Sequence, residues 1–257
     1  MRTFYRLIFI LLILFPVSRV FSQESDTLKK YHFNGNVSIT NNGFSFIPTF
    51  SLGKPATIAT LSIGDEKFSF DPQFRFDLNG LKPWSFIFIW RYNLVKNDRW
   101  LIRPGVHLPA IAFRTREIER NGEILEELYA QRFLTPELTI SYQLTKKFAV
   151  GTYYIYGIGL EKTGQARNTH FISLRFGIQN IRLAENLNLH WNPEVYYMNI
   201  DGKEGVYFAQ ALTLSHKKFP ISISSIANKG IKTEINSGEL DWNISLVYSF
   251  KNSFTKK

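Results

Sequence analysis

Cysteine is absent from the 257 residues. That excludes a disulfide scaffold, a thiolate zinc site, a cysteine nucleophile and the lipid anchor of a bacterial lipoprotein. Charge is also sparse, at 20 % of residues, while aromatics reach 16 %. A chain so aromatic is not intrinsically disordered. Beyond residue 22 no apolar run approaches the roughly 20 residues of a membrane-spanning helix, and a mean hydropathy of -0.13 excludes a multi-pass helical protein. No metal-ligand spacing, phosphate loop or nucleophile elbow occurs, so neither metal nor cofactor is expected.

What is present begins with an address. Arg2 and Arg6 precede an apolar run from Leu7 to Val17, and Val20-Phe21-Ser22 places small side chains where a signal peptidase cuts. Residues 1–22 therefore read as a cleavable signal peptide. Removing Arg2, Arg6 and Arg19 lowers the formal charge from +10 to about +7. An exported chain of that charge is not expected to bind nucleic acid.

The remainder alternates. In Phe68–Leu78 every even position is apolar and every odd one polar, except Pro72. Leu134–Leu144 and Leu240–Phe250 repeat the pattern. A period of two assigns the two sets to opposite faces of a strand. A soluble sandwich buries the apolar set, whereas a transmembrane barrel turns it toward lipid. Strand length favours the barrel. So do aromatics near strand ends (Trp84, Trp90, Tyr92, Trp100, Tyr153, Tyr154, Tyr156, Tyr196, Tyr197, Trp242, Tyr248). So does an inner face carrying more ions than a dry core accepts.

The expected fold is all-β: an antiparallel up-and-down transmembrane β-barrel of twelve strands. They fall near 43–52, 56–63, 67–78, 84–94, 99–115, 128–144, 147–161, 168–182, 187–200, 205–216, 219–228 and 239–250. Residues 23–42 are a periplasmic lead or a first strand, 43–250 the barrel, and 251–257 a basic tail. Residues 31–40 also alternate, and counting them gives thirteen or, with another missed strand, fourteen. Short connections rich in lysine (Lys96, Lys146, Lys147, Lys217, Lys218) alternate with longer ones, of which the longest is acidic (Glu117, Glu119, Glu123, Glu126, Glu127). This suits periplasmic turns and extracellular loops.

Signal peptide, dyad-repeat strands, alternating loop lengths and a last strand ending on Tyr248-Ser249-Phe250 together resemble an outer-membrane β-barrel protein of Gram-negative bacteria, porin-like in outline. The resemblance covers the mature chain and implies an outer-membrane location, outer-membrane lipids as surroundings and the barrel-assembly machinery as a partner in biogenesis. Typical clients of that machinery stop on the terminal Phe; here Lys251–Lys257 follow it.

Five segments share the form apolar-x-Pro-x-apolar, around Pro48, Pro72, Pro104, Pro136 and Pro193. Proline lacks a ladder donor, so β-bulges or bends that curve the wall are expected there. Inward positions carry a candidate polar belt of the lumen: Asp71, Gln73, Arg75, Arg91, Arg103, Glu137, Arg175, Asn192, Glu194 and Asp241. Its mixed sign suits a narrow channel for small solutes rather than a one-sign track. The alternatives are a lipid-modifying enzyme and a non-catalytic structural or adhesive barrel of an envelope complex. Barrel phospholipases, which resemble the chain in outline, use a Ser–His pair on neighbouring outward positions, and no His-x-Ser pair occurs among the five histidines. His170 lies nearest the outer end of a strand, and no catalytic residue is assigned.

Overall fold

Alternating sequences cannot bury both faces, so their strands need a partner on each edge and a different medium on each side. The computed structural model describes residues 29–120, 122–162, 164–235 and 240–256. The expected signal peptide lies outside them.

The strands are β1 (Lys29–Thr40), β2 (Ala56–Gly64), β3 (Phe68–Asp77), β4 (Pro83–Tyr92), β5 (Val95–Lys96), β6 (Trp100–Arg120), β7 (Glu123–Thr145), β8 (Phe148–Gly159), β9 (Asn168–Ala184), β10 (Leu187–Ile200), β11 (Lys203–His216), β12 (Ile221–Thr233) and β13 (Leu240–Lys256). Sequential neighbours pair antiparallel, β1 pairs with β13, and β4 pairs with β6 past the short β5. The result is a closed barrel of 12 strands plus the two-residue β5. Closure leaves no free edge, the condition for strands to cross a bilayer.

The faces are inverted relative to a soluble protein. In β13, Leu240, Trp242, Ile244, Leu246 and Tyr248 are exposed, while Asn243 between them is buried. In β9, Ile172 and Leu174 face outward and Thr169 and Ser173 lie inside. The barrel carries its apolar band outside and its polar set within, as the alternation predicts.

The strand count agrees with expectation, but the first strand does not. Residues 31–40 belong to β1, which continues the ladder from β2 to β13. Residues 43–52 are not a strand; they form a loop with a single 3-10 turn at Pro48–Phe50. Pro48 starts that turn, where a missing N–H costs nothing. The expected tail is also strand: β13 runs to Lys256, with Phe254 stacked on Tyr31 and Phe250 tilted against Phe33.

The expected proline bulges are absent. Pro72, Pro136 and Pro193 each sit where pairing to one neighbour lapses briefly and then resumes in the same register. Pro104 stands in an unbroken register with Leu138. The missing donor is absorbed by a gap on one side of the strand rather than by an inserted residue. Register shifts fall elsewhere, including Arg75/Phe76 between β3 and β4, and His107/Ala110 between β6 and β7. The first of these re-aims a side chain. Trp84, expected in the interfacial girdle, is 1 % exposed and lies inside. Tyr153 and Tyr196 are likewise interior, whereas Trp90, Tyr92, Trp100, Trp242 and Tyr248 are exposed.

Candidate functional site

The connection between β1 and β2 shapes the interior. Its neck closes through Gly43 and Lys54: the Gly43 N–H donates to the Lys54 carbonyl at 2.8 Å, and the Leu52 N–H to the Gly43 carbonyl at 2.7 Å. Ser51 crosslinks the loop, accepting from the Ser45 N–H at 2.8 Å and donating to the Ser45 carbonyl at 2.9 Å. Asn42 donates to the Trp242 carbonyl at 3.1 Å, tying the neck to β13. A compact loop with close ends and internal side-chain bonds holds its own shape.

The tip of this loop lies across the lumen. Phe46 packs on Tyr196 and Phe171, with ring centroids 5.3 and 6.4 Å away. Phe50 packs on Phe133 at 5.3 Å, on the other wall. Ile47 touches both apolar clusters, one built from Tyr153, Phe171, Tyr196 and Met198, the other from Ile87, Ile89, Ala110 and Phe133. Apolar side chains facing a wet lumen would be costly; covering them with the loop removes that cost.

Next to this loop lies the polar belt. Arg91 is its hub. Its Nη1 is 2.7 Å from Asp71 Oδ2, and its Nε is 2.5 Å from Glu137 Oε1. Glu137 also accepts from the Tyr153 hydroxyl and lies 2.8 Å from His107 Nε2. Ser69 donates to Asp71 at 3.2 Å. The Glu137 carboxylate is wholly buried yet has partners on both oxygens, the condition under which a buried charge is tolerated. Gly105 makes room for it: a Cβ there would sit 2.8 Å from Glu137 Oε1 and 2.8 Å from the Trp90 carbonyl.

A second pair, Arg175 and Glu194, closes at 2.9 Å. The Arg175 guanidinium lies 4.1 Å from the Tyr153 ring centroid, which links this pair to the first network. Asn192 accepts from Gln179 at 2.9 Å, and Gln179 in turn meets His190, which reaches Ser215 at 3.0 Å.

The structure thus joins Asp71, Arg91 and Glu137 in one network, Arg175 and Glu194 in a pair beside it, and Asn192 in a neutral chain. Gln73 accepts from Arg75 Nη2 at 2.8 Å. Arg75 and Arg103 have no ion pair among the described residues, and the Nε of each is buried without a partner. Arg75 lies over Trp84, 5.3 Å from the ring centroid. Asp241 lines a separate cavity beside the loop, with Asn42, Phe44 and Tyr196.

Sequence reasoning missed the inward apolar residues Ile87, Ile89, Phe133, Phe171 and Met198. It also missed the loop that covers them. A signal existed. Phe86-Ile87-Phe88-Ile89-Trp90 is apolar at both parities, and a strand greasy on both faces needs a cover on its inner one.

His170, the residue considered for lipid chemistry, meets the Tyr154 hydroxyl at 2.9 Å through Nδ1 and stacks on Tyr156 at 4.6 Å. A tyrosine, not a serine, is its partner there.

No protein-family model matches the chain, and no curated protein sequence matches it. Solved structures do. The NanC porin is similar over 85 % of this chain and 98 % of its own, at 13 % identity and a TM-score of 0.51. The KdgM porin is similar over 85 % and 99 %, at 11 % identity and a TM-score of 0.51. A further structure of the KdgM porin, in complex with disordered oligogalacturonate, matches with the same coverage at 10 % identity and the same TM-score. The barrel shares the fold of outer-membrane porins.

Proposed function

We propose that this protein is an outer-membrane channel for small solutes, constricted by the 41–55 loop and lined there by the Arg91–Glu137 network. The observation that carries this reading is the loop itself, seated across the inside of a closed barrel at the level of an ionic belt. A structural barrel needs no such element. A channel that must exclude large molecules does, because pore diameter and the charges around it set what passes. The KdgM porin, whose fold is shared, has a structure in complex with disordered oligogalacturonate, which supports passage of small polar solutes here.

On this reading the lysine-bearing turns lie in the periplasm, the 41–55 loop enters the lumen from the extracellular end, and outer-membrane lipids surround the apolar band. The signal peptide and the barrel-assembly machinery deliver the chain. The polar belt orients solute rather than reacting with it, and the protein is not an enzyme.

Single-channel recording in planar bilayers tests the proposal. Discrete, small openings are expected from the intact protein. Replacing residues 44–52 with a short glycine-serine turn is expected to raise the unit conductance several-fold. Silence from both proteins, each shown to be folded by heat-modifiable migration, would overturn it.

A further inference from the structure

A cavity of about 170 Å³ lies between the loop and the inner wall. Its lining is divided. Phe50, Ile87, Ala110 and Phe133, members of one apolar cluster, line part of it, and Arg75, Gln73, Thr49, Thr135 and Thr169 are among its polar lining. The volume compares with the roughly 150 Å³ that accepts a benzene ring in an apolar protein cavity.

Two arginines reach this cavity, and they differ. Arg91 is already held by Asp71 and Glu137. Arg75 has no carboxylate partner among the described residues. One guanidinium nitrogen donates to Gln73, the face is stacked on Trp84, and Nε is buried and unsatisfied. A buried guanidinium left without an anion is costly, and such costs are retained where a ligand supplies the missing partner. Arginine presents a planar fork that matches a carboxylate.

We infer that this cavity is a binding site for a small monocarboxylate with an apolar body: its carboxylate on Arg75, its ring or chain against Phe50, Ile87, Ala110 and Phe133. The inference rests on the channel reading and names the solute class that the constriction holds in passage. Inorganic anions fit poorly, because they leave the apolar cluster uncovered.

Benzoate is the probe. Isothermal titration of the full-length protein in detergent, against a detergent blank, is expected to give saturable benzoate binding. The neutral isostere benzamide, and acetate, which lacks the ring, are each expected to bind at least tenfold more weakly. Arg75→Gln is expected to lose tenfold or more in benzoate affinity, with Arg75→Lys in between. Absence of benzoate binding, or equal binding of benzamide, overturns the inference on the intact protein alone. Unchanged affinity in a folded Arg75→Gln protein overturns the assignment to Arg75. Conductance is read separately. Openings without benzoate binding sink this inference and spare the channel; benzoate binding without openings does the reverse.

Discussion

Arg91 Nε and Glu137 Oε1, on strands β4 and β7, meet at 2.5 Å directly above Gly105 of the intervening β6. The pair spans three adjacent strands, and only a residue without a side chain fits beneath it. Breaking a buried pair by removing one partner typically costs about 3–5 kcal/mol, because the other charge stays buried. Glu137→Gln is expected to destabilise the folded barrel by that order in urea-dependent unfolding from detergent. Arg91→Met combined with Glu137→Gln is expected to recover part of the loss. Additive losses in the double variant would contradict the pairing.

Gly105→Ala tests the same crossing without touching a charge. The added Cβ meets the Trp90 carbonyl as well as Glu137, and the backbone oxygen cannot swing aside. Destabilisation of about 1–3 kcal/mol is expected, as for overpacking elsewhere. Unfolding indistinguishable from the wild type would show that the strands spread to accept the methyl.

The absence of cysteine makes accessibility tests clean. Ile47→Cys on the loop tip and Ile244→Cys on the outer wall differ in position relative to the lumen. A charged methanethiosulfonate reagent is expected to change channel current in the first and leave it unchanged in the second. Equal effects, or none in either, would place the loop outside the conduction path.

The outward band predicts a depth-dependent penalty. Leu174, exposed near the middle of β9, is expected to lose about 2–4 kcal/mol on replacement by Arg in a lipid bilayer. Ser173→Arg, pointing inward, changes the lumen instead, and current is the readout there. A neutral Leu174→Arg would mean that this face is wet.

In the turn after β2, Asp65 accepts the N–H groups of Phe68 and Lys67, each at 2.8 Å, and these bonds hold its carboxyl below the ordinary carboxylate range. A depressed folded-state pKa gives stability that is present above the unfolded value and lost as pH falls through the folded one. The Phe68 amide proton is therefore expected to titrate with a midpoint below about 3.9 by NMR. A midpoint at or above that value would rule the bonds out.

Much of this was legible from local pattern. A period of two needs no tertiary information: Phe68–Leu78 and Leu240–Phe250 announce their two faces because successive side chains point oppositely. Once the ionic set is too large for a dry core, the apolar face must meet lipid. The inward placement of Asp71, Arg91, Glu137, Arg175 and Glu194 follows from parity alone.

Tertiary structure decided what parity cannot. Residues 43–52 alternate as well as a strand does, and only the closing of β1 onto β13 frees them to fold inward as a loop. Trp84 has the parity of a lipid-facing residue, and a register shift between neighbouring strands turns it inside under Arg75. Which arginine is neutralised depends on which strands become neighbours: β6, paired with β4 on one side and β7 on the other, brings Glu137 to Arg91, while Arg75, one strand away on β3, is left with Gln73 beside the cavity. Parity determines the side a residue faces where the register is unbroken; pairing across the barrel determines whom it meets, and where a shift turns a side chain over, because those partners are separated by chain length that no local period spans.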